Sequence, residues 1–132
     1  CIARPELIAD MNRVKFSYSP YNVNSMTQAA GTAAIRDEAY FRDITAKLLA
    51  TRADTTEKLR QRGFTVFDSA TNFLFATTDR MLCKEIFEKL RAQGILIRHF
   101  NAPRISNYLR ITIGTDAEMQ RFFTVLDEIL AH

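Results

Sequence analysis

The sequence predicts an α+β fold in which a small, mostly antiparallel sheet packs on helices. Two features of the 132 residues lead to this prediction. Short runs rich in β-branched and aromatic residues occur in two pairs, within 64–78 and 95–114. Longer segments with apolar residues at helical spacing precede, separate and follow those pairs, which gives the order α–α–β–β–α–β–β–α.

Helices are expected where apolar spacing and end signals agree. Near the start of the segment from about Ser25 to Arg62, two pairs of alanines at 29–30 and 33–34 favour helix strongly, and the charged run around Asp37 marks a break. Gly63 and Gly94 follow two of the helices as C-caps. Residues 14–23 hold several turn formers and are expected to be irregular. The predicted helices are 5–13, 25–62, 77–94 and a last one that opens with the capping box Thr115 and Glu118.

The predicted strands are 64–68, 72–78, 95–100 and 108–114. Apolar residues three and four apart mark the helix faces that should be buried against them. These residues are Ile44, Leu48 and Leu59 in the long helical region, Cys83, Ile86, Phe87 and Leu90 in the next helix, and Met119, Phe122, Phe123, Leu126, Ile129 and Leu130 in the last.

Composition narrows the class of protein. Thirteen arginines and five lysines give a net charge of +3, but the arginines alternate with acidic residues on helices, which argues against a nucleic-acid partner. No apolar run is long enough for a membrane span, and no signal peptide opens the chain, so a cytoplasmic location is expected. Cys1 and Cys83 lack metal-type spacing, and no metal site or nucleophile–His–carboxylate set is visible.

The last two strands each carry an arginine within an apolar run. If their loop is centred near Arg104, the hairpin register places Arg98 directly opposite Arg110 on one face of the sheet. Two like charges in such a pair destabilise a sheet unless something compensates them. Two interpretations remain open: carboxylates elsewhere in the protein pair with these arginines, or the arginines bind an anionic ligand whose carboxylate or phosphate suits the guanidinium fork.

Other polar residues carry weaker signals. Asn72 precedes an apolar strand, where a turn or strand-start role is the simplest interpretation. Tyr21 and Asn22 follow Pro20 in the irregular stretch, and a turn is again the simplest interpretation. His99 falls at a strand end, where a partly exposed histidine is more common than a catalytic base. The residues alone therefore show no complete catalytic machinery.

Four phrases carry a resemblance to a known family: "IARPELI", "SPYNVNSMTQAA", "SATNFLF" and "GILIR…LRITIGT". In this order they resemble the C-terminal part of the fold-type I, pyridoxal-phosphate-dependent aminotransferases, and the histidinol-phosphate aminotransferase branch in particular. Aromatic aminotransferases and threonine-phosphate decarboxylases share much of the pattern. The resemblance covers nearly the whole chain, and the paired-arginine phrase with its spacing is its most specific part.

The resemblance implies roles for the candidate residues. Arg110 would bind the acidic group of the substrate, a carboxylate in glutamate and the phosphate in histidinol phosphate, while Arg98 would assist at the phosphate end. Asn72 would lie near the substrate, and Tyr21 and Asn22 near the cofactor or the dimer interface. The implied activity is amino-group transfer between histidinol phosphate and 2-oxoglutarate or glutamate by a homodimeric enzyme.

The resemblance also implies that this chain is a fragment. Residues 1–35 would end the large domain or interdomain segment, and 36–132 would form the C-terminal small domain. The family's cofactor lysine lies in an S-x-S-K-like stretch, and none of the five lysines here has that context. Pyridoxal 5'-phosphate is thus expected in the full-length enzyme and not on this chain alone, which would contain no catalytic residue. The alternatives from another class are a stand-alone anion-binding module and an interaction domain whose arginines pair internally.

Overall fold

The computed structural model describes residues 3–18 and 23–131, which fall into two compact units, Cys1–Phe41 and Arg42–His132. The predicted boundary between 1–35 and 36–132 stays a prediction. In the described ranges, no helix is long and apolar enough to cross a membrane.

The first unit consists of helices. Helix α1 spans Pro5–Tyr18, α2 spans Ser25–Arg36, and α3, Glu38–Gln61, begins here. The predicted end of α1 at residue 13 is wrong, because the Ser17 hydroxyl donates 2.7 Å to the Arg13 carbonyl within the helix instead of turning the chain. The predicted break at Asp37 is confirmed, so three helices precede the sheet where the predicted order had two.

The second unit contains the sheet, and it confirms the α+β fold class. Four antiparallel strands lie in the order β1-β2-β4-β3, so β2 and β4 are neighbours although a helix and a strand separate them in sequence. The remaining elements are β1 (Phe64–Val66), β2 (Phe73–Thr78), α4 (Cys83–Ala92), β3 (Arg98–His99), β4 (Leu109–Thr112) and α5 (Asp116–Leu130).

One face of this sheet packs on the helices and forms the core. Alternate residues of β2 and β4 are buried on that face, as the two-residue period of a strand requires. The core joins Leu74 and Ile111 of the sheet to Leu59, Leu90 and Leu126 of the helices. Almost every predicted core residue is buried or packed against this cluster. Ile44 is the exception, because it lies 41% exposed near the start of α3, away from the core.

Two predicted element starts are wrong for identifiable reasons. Helix α4 begins at Cys83 and not near residue 77, because Thr78 is buried in the β2 ladder opposite Phe64. Strand β3 covers only Arg98–His99, because the Ile95 amide donates 3.0 Å to the Leu90 carbonyl and so completes the end of α4. The predicted C-cap glycines are confirmed, since both have positive φ, 83° at Gly63 and 76° at Gly94.

Candidate functional site

The hairpin of β3 and β4 brings the two predicted arginines together. Arg98 is the Cα partner of Arg110, and His99 is the partner of Leu109, so the predicted register is confirmed at both positions. Because Leu109 and Ile111 face the core, alternation turns Arg110 to the opposite face of the sheet. Arg110 is half-buried there, whereas Arg98 on the edge strand is exposed.

Neither guanidinium is neutralised within the described residues. The ion pairs found in this part of the chain join carboxylates to other cations, and none of them includes Arg98 or Arg110. The Nε atom of Arg110 is buried and has no hydrogen-bond partner there. A buried donor without a partner costs free energy, and no carboxylate of the described residues compensates the pair.

Arg62 shows how the same unit satisfies a guanidinium structurally. It donates to both carboxylate oxygens of Asp127, from Nε at 2.6 Å and from Nη2 at 2.7 Å. These hydrogen bonds lower the pKa of Asp127 and raise the pKa of Arg62. Neither Arg98 nor Arg110 has such a carboxylate partner among the described residues.

Both arginines line an open depression of about 440 Å³ at the β3 edge of the sheet. The lining side chains that carry N–H or hydroxyl donors are the two guanidinium groups, the His99 ring and Thr112, and no acidic residue lines it. A site with several donors and no carboxylate suits a small anion. The other lining residues are Phe87, Leu96 and Ile97.

Asn107 fixes the start of β4, three residues before Arg110. Its side-chain oxygen accepts the Cys83 amide at 2.9 Å, and its side-chain amide donates 3.2 Å to the Thr78 carbonyl. Helix α4 has no side-chain cap of its own at Leu82, so Asn107 supplies the cap from another element. The Thr77 hydroxyl also donates 2.6 Å to the Asn107 carbonyl, which ties the same point to the end of β2.

The other predicted site residues are placed differently. Asn72 is exposed just before β2, where its carbonyl accepts the Ile113 amide at 2.9 Å, and it does not line the depression. Tyr21 and Asn22 lie outside the described residues. Arg104 is exposed in the loop, as expected for a solvated charge. The His99 ring lies 2.6 Å from the Ser106 carbonyl and stacks on Phe87.

The described residues supply no lysine to the depression. Lys47, Lys58 and Lys84 pair with acidic residues four positions away on their own helices. Cys83 is free and buried as predicted, and desolvation raises the pKa of its thiol. No group of three or more metal-binding side chains occurs in the described part of the chain.

Sequence reasoning gave no role to three residues that lie at this site. Asn107 was not singled out, because its cap on α4 joins elements far apart in sequence. Phe73 and Phe100 lie under the two guanidinium groups, with each arginine Cζ 5.2 Å from the ring centroid. Period-2 alternation along β2 was the signal that could have placed Phe73 on the arginine face.

Comparison with known proteins decides the family. A family model described as "Aminotransferase class I and II" matches residues 1–126. The chain belongs to this family. Its curated relatives include histidinol-phosphate aminotransferase 2 of Rhizobium meliloti, 43% identical, and the histidinol-phosphate aminotransferase of Clostridium botulinum, 40% identical, each over 129 residues. Those alignments cover 98% of this chain but only 36–37% of the relatives, so this aminotransferase chain spans about a third of their length.

Solved structures agree with this assignment. The histidinol-phosphate aminotransferase of Sinorhizobium meliloti in complex with pyridoxal-5'-phosphate has a TM-score of 0.71 and 28% identity, covering 78% of this chain and 29% of that chain. The enzyme of the same name from Clostridium acetobutylicum has a TM-score of 0.76, covering 91% of this chain and 37% of that chain. At 19% identity the second likeness concerns the fold alone.

Proposed function

We propose that this chain is the C-terminal, small-domain part of a pyridoxal-phosphate-dependent aminotransferase. The proposed reaction transfers an amino group between histidinol phosphate and 2-oxoglutarate or glutamate, as a step of histidine biosynthesis. The observation that carries the proposal is the arginine pair, whose half-buried member Arg110 has no partner for its Nε atom among the described residues. Relatives about 40% identical that are named histidinol-phosphate aminotransferases support the choice of substrate.

In this proposal the depression binds the acidic end of the substrate. Arg110 binds the anionic group of both substrates, and Arg98 adds a second guanidinium when that group is a phosphate. A phosphate offers more acceptor oxygens and more charge than a carboxylate, so it gains more from two adjacent guanidinium groups. Asn72 would lie near the substrate, and Tyr21 and Asn22 near the cofactor or a homodimer interface.

The cofactor would be attached outside these 132 residues. Pyridoxal 5'-phosphate supplies an electron sink for the carbanion chemistry of amino transfer and needs a lysine amine for its attachment. The inference is supported by the five lysines, since none has the S-x-S-K-like context of the family's cofactor lysine and none lines the arginine depression. We therefore infer that the isolated chain neither holds the cofactor covalently nor transaminates, and that the full-length enzyme is a cytoplasmic homodimer.

The proposal is tested by assaying the complete protein that carries this segment. With pyridoxal 5'-phosphate it should transfer the amino group from histidinol phosphate to 2-oxoglutarate, and the 132-residue chain alone should not. Aromatic amino acids and threonine phosphate serve as competing substrates. A preference for either, measured as kcat/KM, would replace the proposed substrate while keeping the enzyme class. Activity of the 132-residue chain alone, with one borohydride-reduced lysine adduct, would refute the fragment assignment.

A further inference from the structure

Each guanidinium of the arginine pair lies over an aromatic ring. The Cζ atom of Arg110 is 5.2 Å from the centroid of Phe73, and the Cζ atom of Arg98 is 5.2 Å from the centroid of Phe100. Both distances fall within the range of about 6 Å at which the ring quadrupole attracts a cation. The two arginines thus share one kind of neighbour, although they lie on different strands and differ in burial.

We propose that Phe73 and Phe100 are positioning residues that hold the two guanidinium groups in place without neutralising them. The proposal rests on the proposed function, because it takes the substrate's acidic group to be the anion that the arginines bind. A carboxylate could also hold an arginine, but it would use N–H donors and cancel the charge. An aromatic face attracts the cation without accepting an N–H hydrogen bond, so the donors stay available for a phosphate or carboxylate.

Hydrogen bonds anchor the backbone at Phe73. The Phe73 carbonyl accepts the Ser69 hydroxyl at 2.6 Å, and the same hydroxyl lies 2.9 Å from that of Thr71. Arg52 of α3 anchors this turn by donating 2.6 Å to the Thr71 carbonyl. The backbone of Phe73 is therefore anchored at the start of β2, diagonal to Arg110, whose direct cross-strand partner is Phe75.

The Phe100 ring packs directly against the Phe75 ring. It packs edge-on against Phe75 with centroids 6.2 Å apart, and Phe75 stacks on Tyr108 at 4.9 Å with the planes 5° from parallel. Phe67 packs against both Phe75 and Tyr108, at 6.1 and 5.9 Å. Phe67 belongs to the same aromatic cluster but has no guanidinium over it, which makes it a matched control for loss of a ring.

The test measures KM and kcat for both substrates in the complete protein. Phe73→Leu keeps an apolar side chain and removes the ring, so KM should rise about 3- to 10-fold for both substrates, while kcat changes less than about twofold. Phe100→Leu should raise KM in the same range for histidinol phosphate only. Phe67→Leu should leave KM and kcat unchanged for both substrates. Phe73→Tyr keeps an aromatic ring, so its KM should equal that of the unaltered protein. Circular dichroism and thermal midpoints check that each variant folds.

Arg110→Ala, assayed in parallel, separates the two proposals. If it raises KM and Phe73→Leu does not, the positioning role is refuted while the proposed function stands. Equal rises in KM in Phe73→Leu and Phe67→Leu, or a raised KM in Phe73→Tyr, would likewise show that Phe73 contributes only general packing, and would refute the positioning role. An unchanged KM in Arg110→Ala would refute the proposed function itself, together with the positioning role that rests on it.

Discussion

Removing the Asn107 side chain should destabilise the second unit more than the partial exposure of Asn107 would suggest. Asn107→Ala removes the acceptor for the Cys83 amide, the first of α4, and the donor to the Thr78 carbonyl. Cys83 and Thr78 are both buried. Loss of an N-cap costs about 1 kcal/mol, and loss of a second hydrogen bond costs about as much again. The free energy of unfolding should therefore fall by about 2 kcal/mol, which corresponds to roughly 10 °C in Tm for a small domain.

Urea unfolding followed by far-ultraviolet circular dichroism measures this change in the 132-residue chain. Asn101→Ala is the matched control, because Asn101 is exposed in the same loop and its side chain forms no hydrogen bond with the described residues. Its substitution should change stability by less than about 0.5 kcal/mol. If Asn107→Ala and Asn101→Ala give equal midpoints, the bridge between β4, β2 and α4 does not stabilise the fold.

Two further predictions concern stability. Asp127→Asn should cost about 0.5–1 kcal/mol at pH 7, because it breaks the exposed bidentate pair with Arg62. The pKa of Asp127 is lowered from its ordinary 3.8 in the folded protein, so this stabilisation is present above that value and disappears as pH falls through the lowered pKa. Urea unfolding of the unaltered chain and of Asp127→Asn from pH 7 to pH 2 should show the difference in their free energies of unfolding vanish. A difference that stays constant with pH would contradict the pairing. Gly94→Ala should cost about 1 kcal/mol by urea unfolding, because φ is +76° there and the nearest atom to a new Cβ is 3.8 Å away, so the cost is conformational. Gly31→Ala, in the interior of α2 with open space around it, should instead raise helicity by circular dichroism, and a loss at both glycines would contradict this explanation.

The arginine pair could be predicted from the sequence because its information is local. Alternation along two short strands and one loop length fix which residues face each other, so Arg98 and Arg110 were placed correctly without tertiary data. The last helix was equally local, since the capping box of Thr115 and Glu118 forms as predicted and also lowers the pKa of Glu118.

Two of the failures, the start of α4 and the ring under Arg110, depend on contacts between distant segments. The length of β3 instead depends on a local contact, because the Ile95 amide is already used at the end of α4. The start of α4 depends on Asn107, which is 24 positions from the amide that it caps. The aromatic ring under Arg110 comes from β2, which pairs with β4 although α4 and β3 separate the two strands in sequence. No periodic pattern within one element reports such pairings.

The most direct test of the proposed arginine site compares kcat/KM for histidinol phosphate and glutamate in the complete protein and its Arg110→Ala and Arg98→Ala variants. Loss of a charge-assisted hydrogen bond costs roughly 1.5–3 kcal/mol, which corresponds to an affinity about ten- to a hundredfold weaker. Arg110→Ala should lower kcat/KM by that factor for both substrates, and Arg110→Lys should not restore it fully, because a lysine lacks the bidentate fork. Arg98→Ala should lower the value for histidinol phosphate more than for glutamate. Unchanged values in both variants, with folding verified by circular dichroism, would show that these arginines do not bind the substrate.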